Sequence, residues 1–518
     1  MSALAGYECD KVHEQRHRAH PTSLVVALSV LAVTARLLLI HQPYIDHWSW
    51  RQSDVAAIAR NFSEGGFRFG YPQIDWAGDA AGYVGTEFPI LPFLAAICYK
   101  FAGIHEWIGR SESVISFAIS LPFFFLLVRE ISGSAAAIWA TFFFSFAPLN
   151  VFAGRSFMPD VPSLSLALIG LYFFLRWIDN GKSTPFFLAA IATSLSILIK
   201  LTTIVIAAPI TYIALSTLCE HRHTLVPRKC GAKRVPLELW LTLFAVITLL
   251  PSALWYWHAY QITEEFYPHH FFGGEGVRIE GFSWYWKIAG RTAVSGLTPI
   301  LSIMALIGLF IAPRSKYSGL FHWWLTGMIL YIVVVGYGNR HPWYQLPLVP
   351  ITAAFAGAAC AFIGSKISSS RVAMVTFSML LTSSFAVLAY LCARPIYEAS
   401  AVELRDAGLE VNKITARDAL IVAADTGDPT MLYYAERKGW HFPEKNAVYD
   451  DNPTNSQQLI IDFEQLRRRG ATHLVFTANT LSWLVEDYPE FARHLAESAA
   501  LMEATPQYRI YKLSLAAK

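Results

Sequence analysis

Phe88-Pro-Ile-Leu-Pro-Phe-Leu-Ala-Ala-Ile-Cys-Tyr-Lys-Phe-Ala-Gly103 decides how this chain is threaded. The stretch is apolar, but it has only 16 residues, carries Pro89 and Pro92 and ends in Tyr99-Lys100. A helix needs about 20 apolar residues to cross a bilayer. Around it lie eleven apolar segments closer to that length, at 23–41, 111–128, 134–152, 161–178, 185–200, 201–218, 237–256, 293–312, 320–338, 344–363 and 371–392. If 88–103 runs along the membrane surface, Arg129, Arg176, Lys182, the run Arg222 to Arg234, Arg314, Lys316, Lys366 and Arg371 all share the side of the basic N-terminal tail. The positive-inside rule makes that side cytoplasmic. Counting 88–103 as a span scatters the same residues over both faces. Eleven spans plus a juxtamembrane helix is therefore the expected topology.

Composition agrees with this class. The 518 residues are 54% hydrophobic and only 15% charged, which marks a polytopic α-helical membrane protein. Aromatics reach 14%, with 16 Trp gathered toward segment ends, as interfacial belts require. The net charge of +3 is too small to point to nucleic acid. Six Cys form no CxxC pair, so neither a disulfide framework nor a thiolate zinc site is expected. His13, His17 and His20 sit in the polar tail and read as solvated. The first apolar segment has no small-residue cleavage site and reads as a retained anchor.

The domains expected are a cytoplasmic tail (1–22), a transmembrane catalytic domain (23–392) whose first outer loop is 42–110, and a soluble extracytoplasmic α/β domain (393–518). In the last, Ala419–Asp425, His473–Thr477 and Tyr508–Leu513 read as strands. Pro429–Lys438 and Gln457–Arg469 read as helices. Gly273-Gly274-Glu-Gly276 has no strand before it and reads as a loop, not a nucleotide cradle.

This topology gathers chemistry on the outer face. In the first outer loop, Tyr44-Ile-Asp-His-Trp-Ser-Trp-Arg-Gln-Ser-Asp54 leads into Val55, Ile58, Ala59 and Phe62 at helical spacing. Ser53 is the expected N-cap, placing Asp54 in the first turn near the positive end of the helix dipole, with Asp46 and Arg51 beside it. Glu87 stands just before the juxtamembrane helix. Arg155 and Asp160 form a charged pair at the mouth of a span. Lys200 closes another span, and Arg340-His341-Pro-Trp-Tyr344 lies in a later outer turn. Each alone has an ordinary explanation as a cap, a snorkelling cation or an interfacial anchor. Gathered on one face, they suit displacement at a phosphorylated carbon. Carboxylates deprotonate a hydroxyl or hold a divalent cation, and cations stabilise a departing phosphate.

Trp50-Arg-Gln-Ser-Asp54, Glu87-Phe-Pro-Ile-Leu-Pro92, Arg155…Asp160, the Lys that ends a span and Tyr344-Gln-Leu-Pro-Leu-Val-Pro350 together resemble the GT-C polyprenyl-phosphate-sugar glycosyltransferases. The branch they are most similar to holds the protein O-mannosyltransferases and the lipid A aminoarabinose transferase, over roughly residues 22–350. The resemblance implies the GT-C fold and an inverting transferase of the bacterial inner membrane, working on its extracytoplasmic side. The donor would be a polyprenyl-phosphate-linked sugar and the acceptor a lipid, glycan or protein. It implies Asp54, Glu87 and Asp160 as catalytic, and Lys200 and Tyr344 as binders of the donor phosphate; Arg340, His341 and Arg51, charged or polar neighbours in the same outer-face cluster, are expected to bind it with them. A histidine metal ligand found in some relatives falls in the loop holding His258, His269 and His270. This leaves a divalent metal cation as a possible cofactor, with His269 and His270 as its candidate ligands. Two departures are visible: Val55 follows Asp54 where the family often has an acid, and Phe88 follows Glu87 where the aminoarabinose transferase has a lysine. A transporter or flippase of lipid-linked sugars, and a non-catalytic membrane scaffold, are the competing readings. The first predicts midplane charges and repeated halves, the second no need for the acidic set.

Overall fold

The computed structural model describes residues 21–514 apart from 224–235, 273–276, 312, 314, 446–447 and 451–452. The Gly273–Gly276 stretch and the N-terminal histidines thus lie outside the described residues. Each of the eleven apolar segments forms a helix or a broken helix. Among the described residues, six helices are long and apolar enough to cross a membrane: Glu106–Ser132, Asp160–Asn180, Leu201–Cys219, Leu237–Glu265, Leu348–Ile367 and Arg371–Ile414. A bent pair, Phe282–Gly296 with Pro299–Leu309, makes a seventh. Ser23–Leu37, Ser134–Phe146, Ser183–Ile199 and Leu320–Val335 are shorter apolar helices. The chain is a multi-pass membrane protein.

The 88–103 stretch forms a helix only over Ile90–Ala102. Its 13 residues rise about 20 Å, short of the roughly 30 Å hydrocarbon layer. Phe101 is 88% exposed and Leu94 44%, so the helix presents apolar side chains outward while Tyr99 and Ala95 pack inward.

The Asp160–Asn180 helix gives the bundle its polarity. Its first residue belongs to the site described below, and its last turn lies about 30 Å away. At that far end Arg176 pairs with Glu130 at 2.6 Å and Lys316 with Asp179 at 2.7 Å, joining the basic linkers.

The helix that carries Asp54 runs Ser49–Gly65, earlier than the sequence pattern suggested. Asp46, not Ser53, organises its entry. The Trp48 amide and Gln52 Nε2 donate to Asp46 Oδ1 at 3.1 and 2.8 Å, and the Ser49 amide donates to the Asp46 carbonyl. Ser53 is left inside the helix, its Oγ 3.0 Å from Thr430 Oγ1, and Asp54 falls in the second turn. The helix is also not amphipathic in use. It is buried on nearly every side, because the bundle covers one face and the C-terminal sheet the other.

That sheet has five strands: β1 (Leu420–Ala424), β2 (Lys438–His441), β3 (Ala471–Thr477), β4 (Ala499–Ala504) and β5 (Tyr508–Leu513), in the order β2-β1-β3-β5-β4. β2 and β3 flank β1 in parallel, while β5 and β4 add antiparallel edges. Helices Val402–Ile414, Thr430–Ala435 and Ser456–Arg468 cover the faces. The expected helix over Pro429–Lys438 stops at Ala435, because Glu436 turns left-handed (φ 50°) and Lys438 opens β2. Sequence reading also passed over β4 and the helices Ala478–Asp487 and Pro489–Ser498.

The sheet is bolted to the loop 42–110. Lys438 Nζ reaches Asp75 Oδ1, Asn61 Oδ1 and the Ile74 carbonyl at 2.8–3.0 Å. Arg60 pairs with Asp75 and donates to the Tyr433 carbonyl. Gly78 and Gly439 exchange backbone bonds with this junction, Gly78 N to Gly439 O and Gly439 N to Asp75 O. Gly78 has φ 59° and a Cβ there would stand 1.8 Å from the Trp440 ring, so only glycine lets the strand approach.

Candidate active site

A cavity of about 460 Å³ opens between the loop 42–110, the ends of the spans and the sheet. Asp54, Arg51, Glu87, Lys200, Arg340, His341, Tyr344 and His270 all line it.

Local backbone breaks aim these side chains. Lys200 sits in extended backbone (φ −153°) between the Ser183–Ile199 helix and a 3-10 turn, Leu201–Ile206. A knot of Ser163, Ser196 and Thr203 hydroxyls takes up the carbonyls that the break frees, including that of Lys200. Glu87 is held in a loop whose neighbours are pinned on both sides. Gly85 exchanges backbone bonds with His270 and Phe272, Trp255 Nε1 donates to the Thr86 carbonyl, and the Phe88 amide donates to the Leu198 carbonyl. Two 3-10 turns, Tyr337–Arg340 and Pro342–Gln345, carry the later cluster.

The charges interlock. Glu87 accepts from Arg51 Nη2 at 2.9 Å and from Lys200 Nζ at 3.0 Å. Lys200 Nζ also lies 3.6 Å from Asp160 Oδ1 and 5.1 Å from the centre of the Tyr344 ring. Asp160 does not border the cavity itself, and its buried Oδ2 has no hydrogen-bond partner. Burial raises the proton affinity of Glu87, but Arg51 and Lys200 overcome it and hold the carboxyl well below the carboxylate range. Glu87 is a fixed anion between two cations.

Asp54 differs. Trp76 Nε1 donates to its Oδ1 at 3.0 Å. Burial pushes the carboxyl up to about 7, against the pull of Arg51, the Trp76 bond and His441. A carboxylate poised near neutrality suits a base. His341 stacks on Trp343 at 4.5 Å with rings 3° from parallel. Burial, then Arg340 and Arg291, press its imidazole down to about 3, so it is neutral here and offers a hydrogen bond but no charge.

Two expectations from the sequence are corrected. Asp46 and Arg155 do not belong to this cavity. Asp46 Oδ2 pairs with Arg155 at 3.0 Å and Arg110 at 3.3 Å, all three side chains fully buried, so Arg155 faces away from Asp160. The histidines of the later loop separate as well. His270 packs edge-on to Trp76 at the cavity wall, while the exposed His269 lies outside it with Nδ1 2.9 Å from the Thr263 carbonyl. His258 is taken by the Gly70 carbonyl. Among the described residues no three of His, Cys, Asp or Glu converge as a metal cage, and Lys200 occupies the space between Glu87 and Asp160.

Sequence reading missed the contribution of the sheet. Gly427, Pro429, His441 and Tyr449 line the cavity opposite Arg51 and Lys200. Asp425 follows β1 and His441 ends β2, at the carboxyl ends of two parallel strands, where open α/β sheets place ligands. The signal was legible as Asp425-Thr-Gly-Asp428 after a buried strand; Trp76 gave none.

Residues 86–257 match the family described as dolichyl-phosphate-mannose-protein mannosyltransferase. No curated protein matches the chain in sequence. The whole chain is similar in fold to the crystal structure of ArnT from Cupriavidus metallidurans bound to undecaprenyl phosphate, with TM-score 0.63 at 15% identity, over 96% of this chain and 99% of that one. It is also similar to the oligosaccharyltransferase of Archaeoglobus fulgidus in the apo form, with TM-score 0.61 at 14% identity, over 96% of this chain and 75% of that one. A complex of that archaeal enzyme, AglB, with an inhibitory peptide and a dolichol-phosphate gives TM-score 0.57 at 13% identity, over 96% and 74%. The chain has the GT-C fold, with a small C-terminal sheet domain.

Proposed function

We propose that this GT-C chain is an inverting glycosyltransferase that moves a sugar from a polyprenyl-phosphate donor to an acceptor hydroxyl at the outer face of a bacterial inner membrane. The observation that carries this reading is the single cavity in which a carboxylate poised near neutrality faces a cluster of cations at the ends of the spans. A lipid tail remains in the bilayer from there while its head group reaches Asp54. The apolar wall formed by Leu201, Ile204, Tyr331 and Val335 suits the first isoprene units.

In the proposed step Asp54 takes the proton of the acceptor hydroxyl. The acceptor oxygen bonds to the anomeric carbon from the side opposite the phosphate. The bond from that carbon to the phosphate oxygen breaks, its electron pair leaves with the polyprenyl phosphate, and the configuration inverts. Lys200, Arg51 and Arg340 stabilise the charge that grows on the phosphate. Tyr344 and neutral His341 add hydrogen bonds. Glu87 holds Arg51 and Lys200 in place, and Asp160 fixes Lys200 from behind. No part of this step is routed through a metal. The acceptor class is a glycolipid such as lipopolysaccharide, a polysaccharide or a protein.

The test is transfer of labelled sugar from a panel of synthetic polyprenyl-phosphate sugars by purified protein in lipid, wild type against Asp54→Asn. Turnover of one donor by the wild type alone is the expected result. Undiminished turnover by Asp54→Asn, or no turnover of any donor by folded protein with acceptors present, overturns the reading. The second outcome favours transport or scaffolding.

A further inference from the structure

The Asp425–His441 pair is a hydrogen-bonded, buried acid–imidazole pair at the cavity wall. His441 Nδ1 lies 2.8 and 2.9 Å from the two oxygens of Asp425, so the carboxylate fixes both the tautomer and the plane of the ring. The Gly427 amide, 3.1 Å from Asp425 Oδ1, fixes the carboxylate in turn. That turn is built for the purpose. Thr426 and Gly427 both have positive φ, and a Cβ on Gly427 would press against Tyr449 at 3.0 Å. Among the described residues nothing hydrogen-bonds Nε2 of His441, and the residue lines the cavity.

Trp76 joins this pair to Asp54. Its indole N–H is given to Asp54, while its ring lies 5.3 Å from the His441 ring. The two elements are also clamped directly. Ser49 Oγ donates to Asp428 Oδ2 at 2.9 Å, and Ser53 meets Thr430, both from the helix that carries Asp54. The helix that carries Asp54 is thus tied to the turn that carries Asp425 by side-chain hydrogen bonds.

We propose that the C-terminal domain is part of the reaction centre: the Asp425–His441 pair is a positioning device that supplies the positive charge keeping Asp54 ionised and ready for the acceptor's proton. The groups facing His441 are Asp425 and Asp428 from the sheet turn, Glu444 from the hairpin after β2, and Asp54 from the outer loop. All are acidic. Burial of the imidazole opposes its charging, but these carboxylates outweigh burial and raise its proton affinity. Asp54 in turn faces Arg51, His441 and Asp428, the last opposing its ionisation. Arg51 is the other cation that favours the anion, and it is already committed to Glu87. The proposal rests on Asp54 being the group that takes the acceptor's proton.

The experiment reads the protonation of Asp54 without needing turnover. Full-length protein in lipid nanodiscs is labelled with a water-soluble carbodiimide and a small amine, which modify protonated carboxyls. The extent of labelling at Asp54 is followed by mass spectrometry from pH 5.5 to 9. His441→Gln should move the labelling midpoint up by about one pH unit, and in the transfer assay the acid limb should move by the same amount, with full activity regained at high pH. Asp425→Asn keeps the imidazole but weakens its charge, and should shift the midpoint the same way by less. It serves if His441→Gln does not fold. An unmoved midpoint in a folded variant, or an equal loss of transfer at every pH, overturns the inference. A shifted midpoint in protein that transfers no sugar supports the pairing and counts against the proposed reaction instead.

Discussion

Oε1 of Glu87 lies 3.0 Å from Nζ of Lys200 across 113 residues of sequence, and this contact sets the charge state of the cavity before any substrate enters. Lys200 has no neutral role there, because it sits between two carboxylates and above the Tyr344 ring. Replacing it with Met should remove the charge that a leaving phosphate needs. We expect kcat to fall by about 10²–10³-fold, the scale for loss of one preorganised stabilising group. Lys200→Arg should retain part of it. Steady-state turnover at saturating donor measures both.

Glu87→Gln should act differently. It releases Arg51 and Lys200 from their shared anion without removing either cation, so donor binding should tighten or hold while turnover falls. It also leaves two buried cations with less compensation, a cost of roughly 3 kcal/mol. A lower melting midpoint together with a reduced kcat at unchanged or lower KM is the expected outcome. A rise in KM alone would show that Glu87 meets the substrate directly.

The pH dependence follows from Asp54. In the proposed step the ionised carboxylate is the active form, and burial pushes its carboxyl up to about 7. Transfer should therefore drop about tenfold for each pH unit below that value and level off above it. Stability should run the other way. A carboxyl whose proton affinity is raised in the folded state favours folding while protonated, and that contribution is lost as pH rises through about 7. Asp54→Asn should consequently melt no lower than wild type at pH 8 while being inactive.

Asp46 provides the control. It is as buried as Asp54 and eight positions away, yet its partners are Arg110, Arg155, Gln52 and the Trp48 amide, all structural. Asp46→Asn strips two buried guanidiniums of their charge partner and should cost about 3–5 kcal/mol. The expected result is poor yield of folded protein in a detergent-extracted preparation, with the pH profile of whatever folds unchanged.

Docking of the sheet can be broken at one atom. Gly78→Ala places a methyl group inside the Trp440 ring at a backbone angle alanine avoids. It should expose the segment 393–420 to limited proteolysis and lower transfer, while the bundle stays intact.

The sequence made the bundle readable because eleven long apolar runs and one-sided basic loops are one-dimensional signals. Lys200, Glu87 and Tyr344 were legible for the same reason: each ends an apolar run, and ionisable residues at such ends stand out. What stayed hidden was pairwise. Nothing in Arg155 announces that it turns to Asp46 and not to Asp160, since that choice depends on the Leu37–Asp46 segment folding back over it. The early start of the Asp54 helix was hidden because the group that organises it, Asp46, looked like a candidate for chemistry. His441 was hidden by a wrong end-point for the preceding helix, which absorbed the first residue of β2.

The junction between Asp75 and Lys438 also bears on how the protein is made. Ribosomes deliver the loop 42–110 hundreds of residues before the sheet that closes over it. Arg60 and Asp75 can pair with each other at once, but their bonds to Tyr433 and Lys438, and that of Asp79 to Arg469, must wait for the sheet to be synthesised. A nascent chain with all its spans inserted still lacks one wall of the cavity. Completion of the polypeptide, and not insertion into the bilayer, is the step at which the machine is assembled.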